Sequence, residues 1–248
     1  MSEVIINRQQ VERNYHNNKN TANNSPVTLD CAYTCFQNLM SQLAYGRVLD
    51  FGCGDGWVSI MMAKKGYDVY GIDISIELIN RARNMALVSN VTHNTMFEEM
   101  TGEDLQFQSN FFDSVFGSAV LHHTDLEMAL NSIHRVLKPG GTGLFIEPMN
   151  QNILLKIWRM FTPWRRSPAE RALTSNEICL IKERFPATRL TYFKFSSIIS
   201  AGLMMLFPKS SFVRKINQKL EKIDEVLIRR IPRLGRYCAV VVIEMVKS

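Results

Sequence analysis

The sequence predicts an α/β fold, a doubly wound and mostly parallel sheet of seven strands. Three observations predict it. Short apolar runs alternate with amphipathic stretches about five times over residues 46–147. A glycine-rich turn, Gly52-Cys53-Gly54-Asp55-Gly56, directly follows the first of these runs. The second run closes on Asp73, 17 residues past Gly56, where an open α/β sheet presents its ligand crevice.

Residues 1–26 are polar and rich in asparagine, and with Pro26 they read as a short helix followed by an irregular loop. Over 28–45, Leu29, Ala32, Cys35, Phe36, Leu39 and Leu43 fall on one helical stripe. Arg47 to Phe51 is a buried strand by its unbroken apolar run, and 56–65 is a helix carrying Trp57, Val58, Ile60, Met61 and Met62. Asp68 to Ile72 is the second strand. Ser75 suits a helix N-cap, with Leu78, Ile79, Ala82 and Ala86 on one face behind it. A third strand is expected near Val91 to Met96, and a fourth from Phe112 to Ser118. Thr124 and Glu127 have capping-box spacing, and the helix they open ends at Lys138-Pro139-Gly140-Gly141. Thr142 to Ile146 is the fifth strand.

After Glu147 the rhythm breaks. Ile153 to Phe161 and 175–185 read as helices, and Arg189 to Phe195 and Tyr237 to Val246 as the last two strands. The connection between those strands is too long for a hairpin loop, so 196–235 is a helical insertion before the last strand. Within it, Val213, Ile216, Leu220, Ile223 and Leu227 mark one side of a basic amphipathic helix.

Composition limits the function classes. With 46% hydrophobic and 21% charged residues the chain is of ordinary globular type. No apolar run reaches the ~20 residues of a membrane span, and the first residues lack the pattern of a secretory signal. The cysteines, Cys31, Cys35, Cys53, Cys179 and Cys238, are odd in number and show no framework. Reduced thiols, a cytoplasmic setting and helix or core packing are the expectation for them. Cys31 and Cys35 lack the further ligands of a zinc site, and no metal is expected. Charge is uneven. Residues 1–150 hold 10 Lys/Arg against 16 Asp/Glu, and residues 151–248 hold 19 against 7. The basic third either faces an anionic acceptor or an anionic membrane surface, or is simply a solvated face. Nucleic acid is not an expected partner, because exposed aromatics are not interleaved with the basic residues.

The glycine turn carries the chemistry. Glycine lacks the Cβ that would keep a ligand off the backbone, and the helix that follows presents free N–H groups. The spacing is G-x-G-x-G. The dinucleotide fingerprint would require glycine at Trp57, and no Gly-Lys-Ser/Thr follows as in a phosphate-binding P-loop. Asp73 at the tip of the second strand has the chemistry to accept both hydroxyls of a ribose.

With these residues, Phe112-Asp113-Ser114-Val115, Leu121-His122-His123 and Leu137-Lys138-Pro139-Gly140-Gly141 occur in order. In that order the chain resembles class I S-adenosylmethionine-dependent methyltransferases, in the small-molecule branch that includes quinone methyltransferases. The resemblance covers roughly residues 40–150 well. It implies a Rossmann-like sheet whose last two strands close it as an antiparallel hairpin, with S-adenosyl-L-methionine as cofactor. It implies that Asp50 and the loop Gly52, Cys53, Gly54 and Gly56 hold the methionine portion. It places Asp73, with Ile74 beside it, at the ribose, and Thr101, Gly102 and Glu103 at the adenine. The family usually has Asp where Thr101 stands. Ser118 at the end of the fourth strand and Tyr15, closing from the N-terminal helix, complete the expected cofactor contacts. On this reading, residues 1–45 form a helical lid and 46–248 the methyltransferase domain, with the 196–235 insertion covering the acceptor side.

His122 and His123 follow the fourth strand, beside the crevice. They are the candidate catalytic residues, one of them as a general base for a hydroxyl acceptor, or else as shapers of the loop. Glu147 is a second candidate for contact with the acceptor, while His134 reads as structural. Apolar residues such as Trp158, Leu203, Met204 and Phe207 point to a hydrophobic or amphiphilic small acceptor, or else pack on the core. O-methylation is favoured over N-methylation or C-methylation of a quinone-like ring. A non-catalytic nucleotide-binding module is the alternative of another class, and a nicotinamide oxidoreductase is disfavoured by Trp57.

Overall fold

Four of the five residues of β1 (Arg47–Phe51) are buried, as a strand with a neighbour on each side and a helix on each face requires. β1 pairs in parallel with β2 (Asp68–Asp73) and with β4 (Phe112–Ser118). β3 (Thr95–Glu99) adds in parallel beyond β2, and β5 (Leu137–Pro148) beyond β4. Two antiparallel pairings then bring in β7 (Val240–Val246) against β5 and β6 (Arg189–Phe193) against β7. The computed structural model describes residues 9–14, 30–161, 171–207 and 210–248. The full order is β3-β2-β1-β4-β5-β7-β6, the seven-stranded, mostly parallel sheet with a closing hairpin that the sequence predicts. The strand order reverses between β1 and β4, which opens a crevice at their carboxyl ends.

Side chains alternate across the sheet and so build two cores. On one face Val48, Val69, Phe116, Leu144, Val240 and Val242 pack beneath α1 (Asp30–Met40), α2 (Trp57–Ala63) and α3 (Ile76–Val88). On the other, Leu49, Phe51, Val115, Phe145, Val241 and Ile243 meet α4 (Leu126–Val136) and, near β7, α6 (Ser175–Arg184).

Several boundaries differ from expectation for local reasons. β3 begins at Thr95, because 92–94 form a 3-10 turn in which the Asn94 amide donates to the carbonyls of Ala63 and Tyr67. The cap of α4 is Asp125, which accepts from the Met128 N–H at 3.1 Å, and the Thr124 hydroxyl instead donates back to the Leu121 carbonyl. A true capping box occurs at Thr174 and Glu177, opening α6. The helix expected to run to Lys138 ends at Val136, and β5 starts at once, with an irregular register against β4 between Phe112 and Ser114. Cys179, expected in the core, is exposed on α6.

α5 (Ile153–Phe161), α7 (Ile198–Leu206) and α8 (Ser211–Arg230) lie outside the sheet core. The expected stripe on α8 is split. Val213 is buried, together with Asn217 and Asp224, whereas Ile223 is 51% exposed. Polar groups dock this helix. The Asp224 carboxylate accepts from the N–H groups of Phe195, Ser196 and Ser197 at 3.0–3.1 Å and from the Ser196 hydroxyl at 2.6 Å. Lys194, fully buried with φ +63°, donates to Glu221 and, at 3.4 Å, to Asn217. The Asn152 amide donates to the carbonyls of Phe195 and Tyr237, tying α5's start to both ends of the insertion. Periodicity does not register such contacts, because each inward polar residue reads as an interruption of the apolar stripe.

Candidate active site

The carboxyl end of β1 meets that of β2 through backbone. Gly52 and Cys53 N–H groups both donate to the Ile72 carbonyl, at 2.9 and 2.8 Å. The loop then turns so that the Gly54 N–H donates to Asp73 Oδ2 at 3.0 Å, while Asp73 Oδ1 accepts from the Ser75 N–H at 2.9 Å. Asp73 thus sits against both the loop and the start of α3.

The loop glycines have different reasons to be glycine. A Cβ on Gly56 would lie 2.8 Å from the Ala82 Cβ, so this residue lets α2 and α3 approach closely. A Cβ on Gly54 would meet nothing within 4 Å, and its φ is +55°. Gly54 therefore faces open space next to the Asp73 carboxylate, a cradle suited to a ligand lying on bare backbone. The residues fit an adenosyl sulfonium: a carboxylate with the chemistry to accept ribose hydroxyls stands beside a turn without side chains.

Asp50 is buried and accepts from the Ser59 hydroxyl at 2.6 Å. Burial pushes its carboxyl up to about 7, with the nearby Asp73 charge adding to the rise and Ser59 opposing it. Burial also drives the Cys53 thiol well above its usual range, so Cys53 is a protonated filler. Gly102 lies over Phe51, where a Cβ would fall 2.0 Å from the ring, and the Glu103 carboxylate accepts from the Asp125 N–H at 3.0 Å. Thr101 and Ile74 are partly exposed at the same edge, and Ser118 is exposed at the tip of β4. Tyr15 lies outside the described residues.

Beyond β4 the chain makes a 3-10 turn, Leu121–His123. Its centre is Glu147 at the end of β5, which is 1% exposed. Glu147 accepts from the N–H groups of Val120 and Leu121 at 2.9 and 2.8 Å, and of His122 at 3.4 Å. His122 Nδ1 lies 2.6 Å from the same carboxylate. A carboxylate gathering this many donors makes Nδ1 the proton-bearing nitrogen and fixes the ring's orientation. His123 packs against His122, ring centroids 4.1 Å apart, and its Nδ1 lies 3.1 Å from Glu12. Glu12 belongs to the helical residues 9–14, whose Arg13 pairs with Glu99 at the end of β3 at 3.1 Å. The N-terminal segment therefore spans the crevice mouth from β3 to the turn after β4.

Residues 49–145 match the methyltransferase domain family. The match spans 97 of the 248 residues, from β1 to β5. The chain is similar to the ubiquinone biosynthesis O-methyltransferase of Xanthomonas oryzae pv. oryzae, 36% identical over 129 residues, 51% of each chain. It is also similar to the ubiquinone/menaquinone biosynthesis C-methyltransferase of Vibrio cholerae, 36% identical over 106 residues, 41% of this chain and 40% of that one. The chain thus spans about half the length of the curated relatives it matches. Its fold is that of geranyl diphosphate C-methyltransferase from Streptomyces coelicolor A3(2), with TM-score 0.67 and 14% identity over 97% of this chain and 98% of the other. The open space at Gly54 beside Asp73 lies within this matched segment.

The structure brings Asp50, the glycine loop, Asp73 and Thr101 to one edge, and His122, His123 and Glu147 to the adjoining turn. Sequence reasoning missed Glu12, Arg13 and Glu99, which carry no motif. It treated His122 and Glu147 as separate candidates, although both sit just past the ends of neighbouring strands, a position that could have suggested their contact.

Proposed function

We propose that this protein transfers a methyl group from S-adenosylmethionine to a hydroxyl of a small hydrophobic or amphiphilic acceptor. The observation that carries the reading is the 3.0 Å contact between the Gly54 N–H and the Asp73 carboxylate beside open space. When bound, the cofactor supplies a methyl group on a positively charged sulfur, ready for in-line displacement. Gly54 and its neighbours receive the methionine and sugar portions against backbone, and Asp73 accepts the ribose hydroxyls. Asp50, with Ser59 fixing its carboxylate, holds the methionine end. Thr101 and Gly102 border the adenine.

The chain's work is alignment and the handling of one proton. Glu147 fixes the His122 ring through Nδ1, and one of the pair His122 and His123 takes the proton of the acceptor hydroxyl. His123, bridged to Glu12, couples that turn to the 9–14 segment, which acts as the lid that keeps water from the crevice. This dyad favours O-methylation, since carbon or amine acceptors have less need of a base. The relatives named for ubiquinone biosynthesis make a phenolic, quinol-like acceptor the first to try.

Incubation with S-adenosylmethionine and a panel of phenolic, amine and quinol acceptors tests the reading, with S-adenosylhomocysteine release as the signal. Phenol methylation that falls at least about a hundredfold in His122→Ala supports it. Tight S-adenosylhomocysteine binding without turnover on any class of acceptor would instead mark a nucleotide-binding module.

A further inference from the structure

β6 runs parallel to β5, because each is antiparallel to β7. The carboxyl end of β6 therefore lies on the same edge of the sheet as the cofactor loop. α5 leaves that edge from β5, and α7 and α8 join the end of β6 to the start of β7 there. All three helices therefore start from or return to that edge of the sheet, on the side of β5, β7 and β6.

The outer face of α8 is apolar and basic together. On α8, Phe212, Lys219, Ile223 and Val226 share one side, about a third of a turn from the docked side formed by Val213, Asn217 and Asp224. Phe212 is 71% exposed and Val226 49%. Phe212, Ile216 and the stems of Lys215, Lys219 and Lys222 line one shallow depression. The acids of this helix are mostly spent elsewhere. Asp224 is buried against backbone N–H groups and Glu221 holds Lys194, so Glu225 is the only fully exposed acid of α8 beside six exposed basic residues. On α5, Ile153, Ile157 and Met160 are exposed, Met160 by 76%, and Ile199 on α7 and Phe207 just past its end are exposed as well. On α8 phenylalanine and isoleucine stand in register with lysine on one exposed side. A helix lying in a lipid headgroup layer uses both, rings and alkyl stems inward and ammonium groups among phosphates.

We infer that the outer face of α8, flanked by α5 and α7, docks on an anionic membrane surface. The occupant is argued from charge: the face is positive because its carboxylates are turned inward, which suits phosphate-bearing lipid. Docked this way, the crevice mouth lies at the lipid boundary and an apolar acceptor reaches it without crossing water. The delivery of an acceptor rests on the methyl-transfer reading, whereas the docking itself does not.

Vesicle flotation of the full chain tests it, with phosphatidylcholine vesicles and with phosphatidylcholine–phosphatidylglycerol vesicles. The protein should float with the anionic vesicles only, and less so as salt rises. Lys215→Glu/Lys219→Glu/Lys222→Glu should weaken that binding at least about a hundredfold at low salt. Phe212→Ser/Ile223→Ser should weaken it by about tenfold or more. Both variants change exposed side chains and should keep the wild-type affinity for S-adenosylhomocysteine, measured by calorimetry. Absence of binding to anionic vesicles overturns the inference, as does equal binding by the charge-reversed variant. A dimer that light scattering shows to depend on Phe212 and Ile223 also overturns it, by giving the face to a second copy of the chain. Loss of S-adenosylhomocysteine binding in the wild type would instead sink the cofactor reading and leave vesicle docking to stand or fall alone.

Discussion

The two ends of the sheet support their loops by different means. β1, β4 and β5 are buried among apolar side chains, and the loop at the crevice is held through its N–H groups, with Gly52 and Cys53 bonded to the Ile72 carbonyl and Gly54 to the Asp73 carboxylate. At the other end β7 is apolar and buried but the edge strand β6 is not, and the insertion between them is anchored by buried polar groups, Lys194 on Glu221 and Asp224 on three successive N–H groups. An apolar anchor tolerates small shifts at modest cost, whereas a buried charge binds strongly only while its partner stays in place. The loop after β1 is thus built to stay fixed, and the insertion to hold one docked position.

The largest effect should come from separating the two kinds of anchor. Lys194→Met leaves Glu221 facing a buried apolar side chain and should cost ~3–5 kcal/mol, read by denaturant unfolding. Phe145→Ala, in the core between β4 and β7, should cost a similar ~3–5 kcal/mol through the cavity it leaves. The double variant Lys194→Met/Glu221→Leu should recover most of the first loss, because two apolar groups replace the ion pair. If it recovers nothing, the polar anchor is not the reason the insertion docks. Hydrogen exchange should show Lys194→Met loosening residues 196–231 first, whereas Phe145→Ala loosens the sheet.

Asp50 sharpens the contrast from inside the apolar half. Its carboxyl stands at about 7 in the fold against 3.8 as an ordinary value. The unfolded chain loses that proton first, so this group's contribution to stability is complete below about pH 4 and disappears as pH rises through about 7. Asp50→Asn should flatten this part of the pH–stability curve and stabilise the cofactor-free protein above pH 7, by on the order of 2 kcal/mol. A wild-type melting temperature that rises steadily between pH 5 and 8, and does so equally in the variant, would show that Asp50 is not the buried acid described.

The loop glycines give the smallest change in stability and the clearest one in function. Gly54→Ala should cost only ~1 kcal/mol, for its left-handed backbone, yet weaken S-adenosylhomocysteine binding by about tenfold, because the methyl enters the open cradle. Gly56→Ala adds a clash with Ala82 to the same backbone strain and should cost ~2 kcal/mol or more. Equal losses of stability at the two positions would remove the distinction between a ligand-facing and a packing glycine.

How well the chain could be read from sequence follows the same division. β1, β2, β4 and β5 are legible because apolar runs ending in glycine or carboxylate are the direct outcome of burial, and Asp73 is legible because its place at a strand tip gives it a task. The β3 boundary was misjudged because Asn94 takes its partners from a distant turn, which no local pattern records. The docking of α8 was misjudged because Asn217 and Asp224 face inward where an amphipathic rule expects apolar residues. In the candidate site, the glycine loop and the histidine pair stand out, but the Glu12–His123 and Arg13–Glu99 contacts join segments too far apart in sequence for spacing to reveal.

The central claim is that Gly54 and Asp73 together grip one nucleoside, and calorimetry with S-adenosylhomocysteine tests it most directly. Wild-type protein should bind it and ignore NAD, and Asp73→Ala should bind it more weakly by ~1–3 kcal/mol, with melting confirming that the variant is folded. A folded Asp73→Ala protein with undiminished affinity would contradict the account.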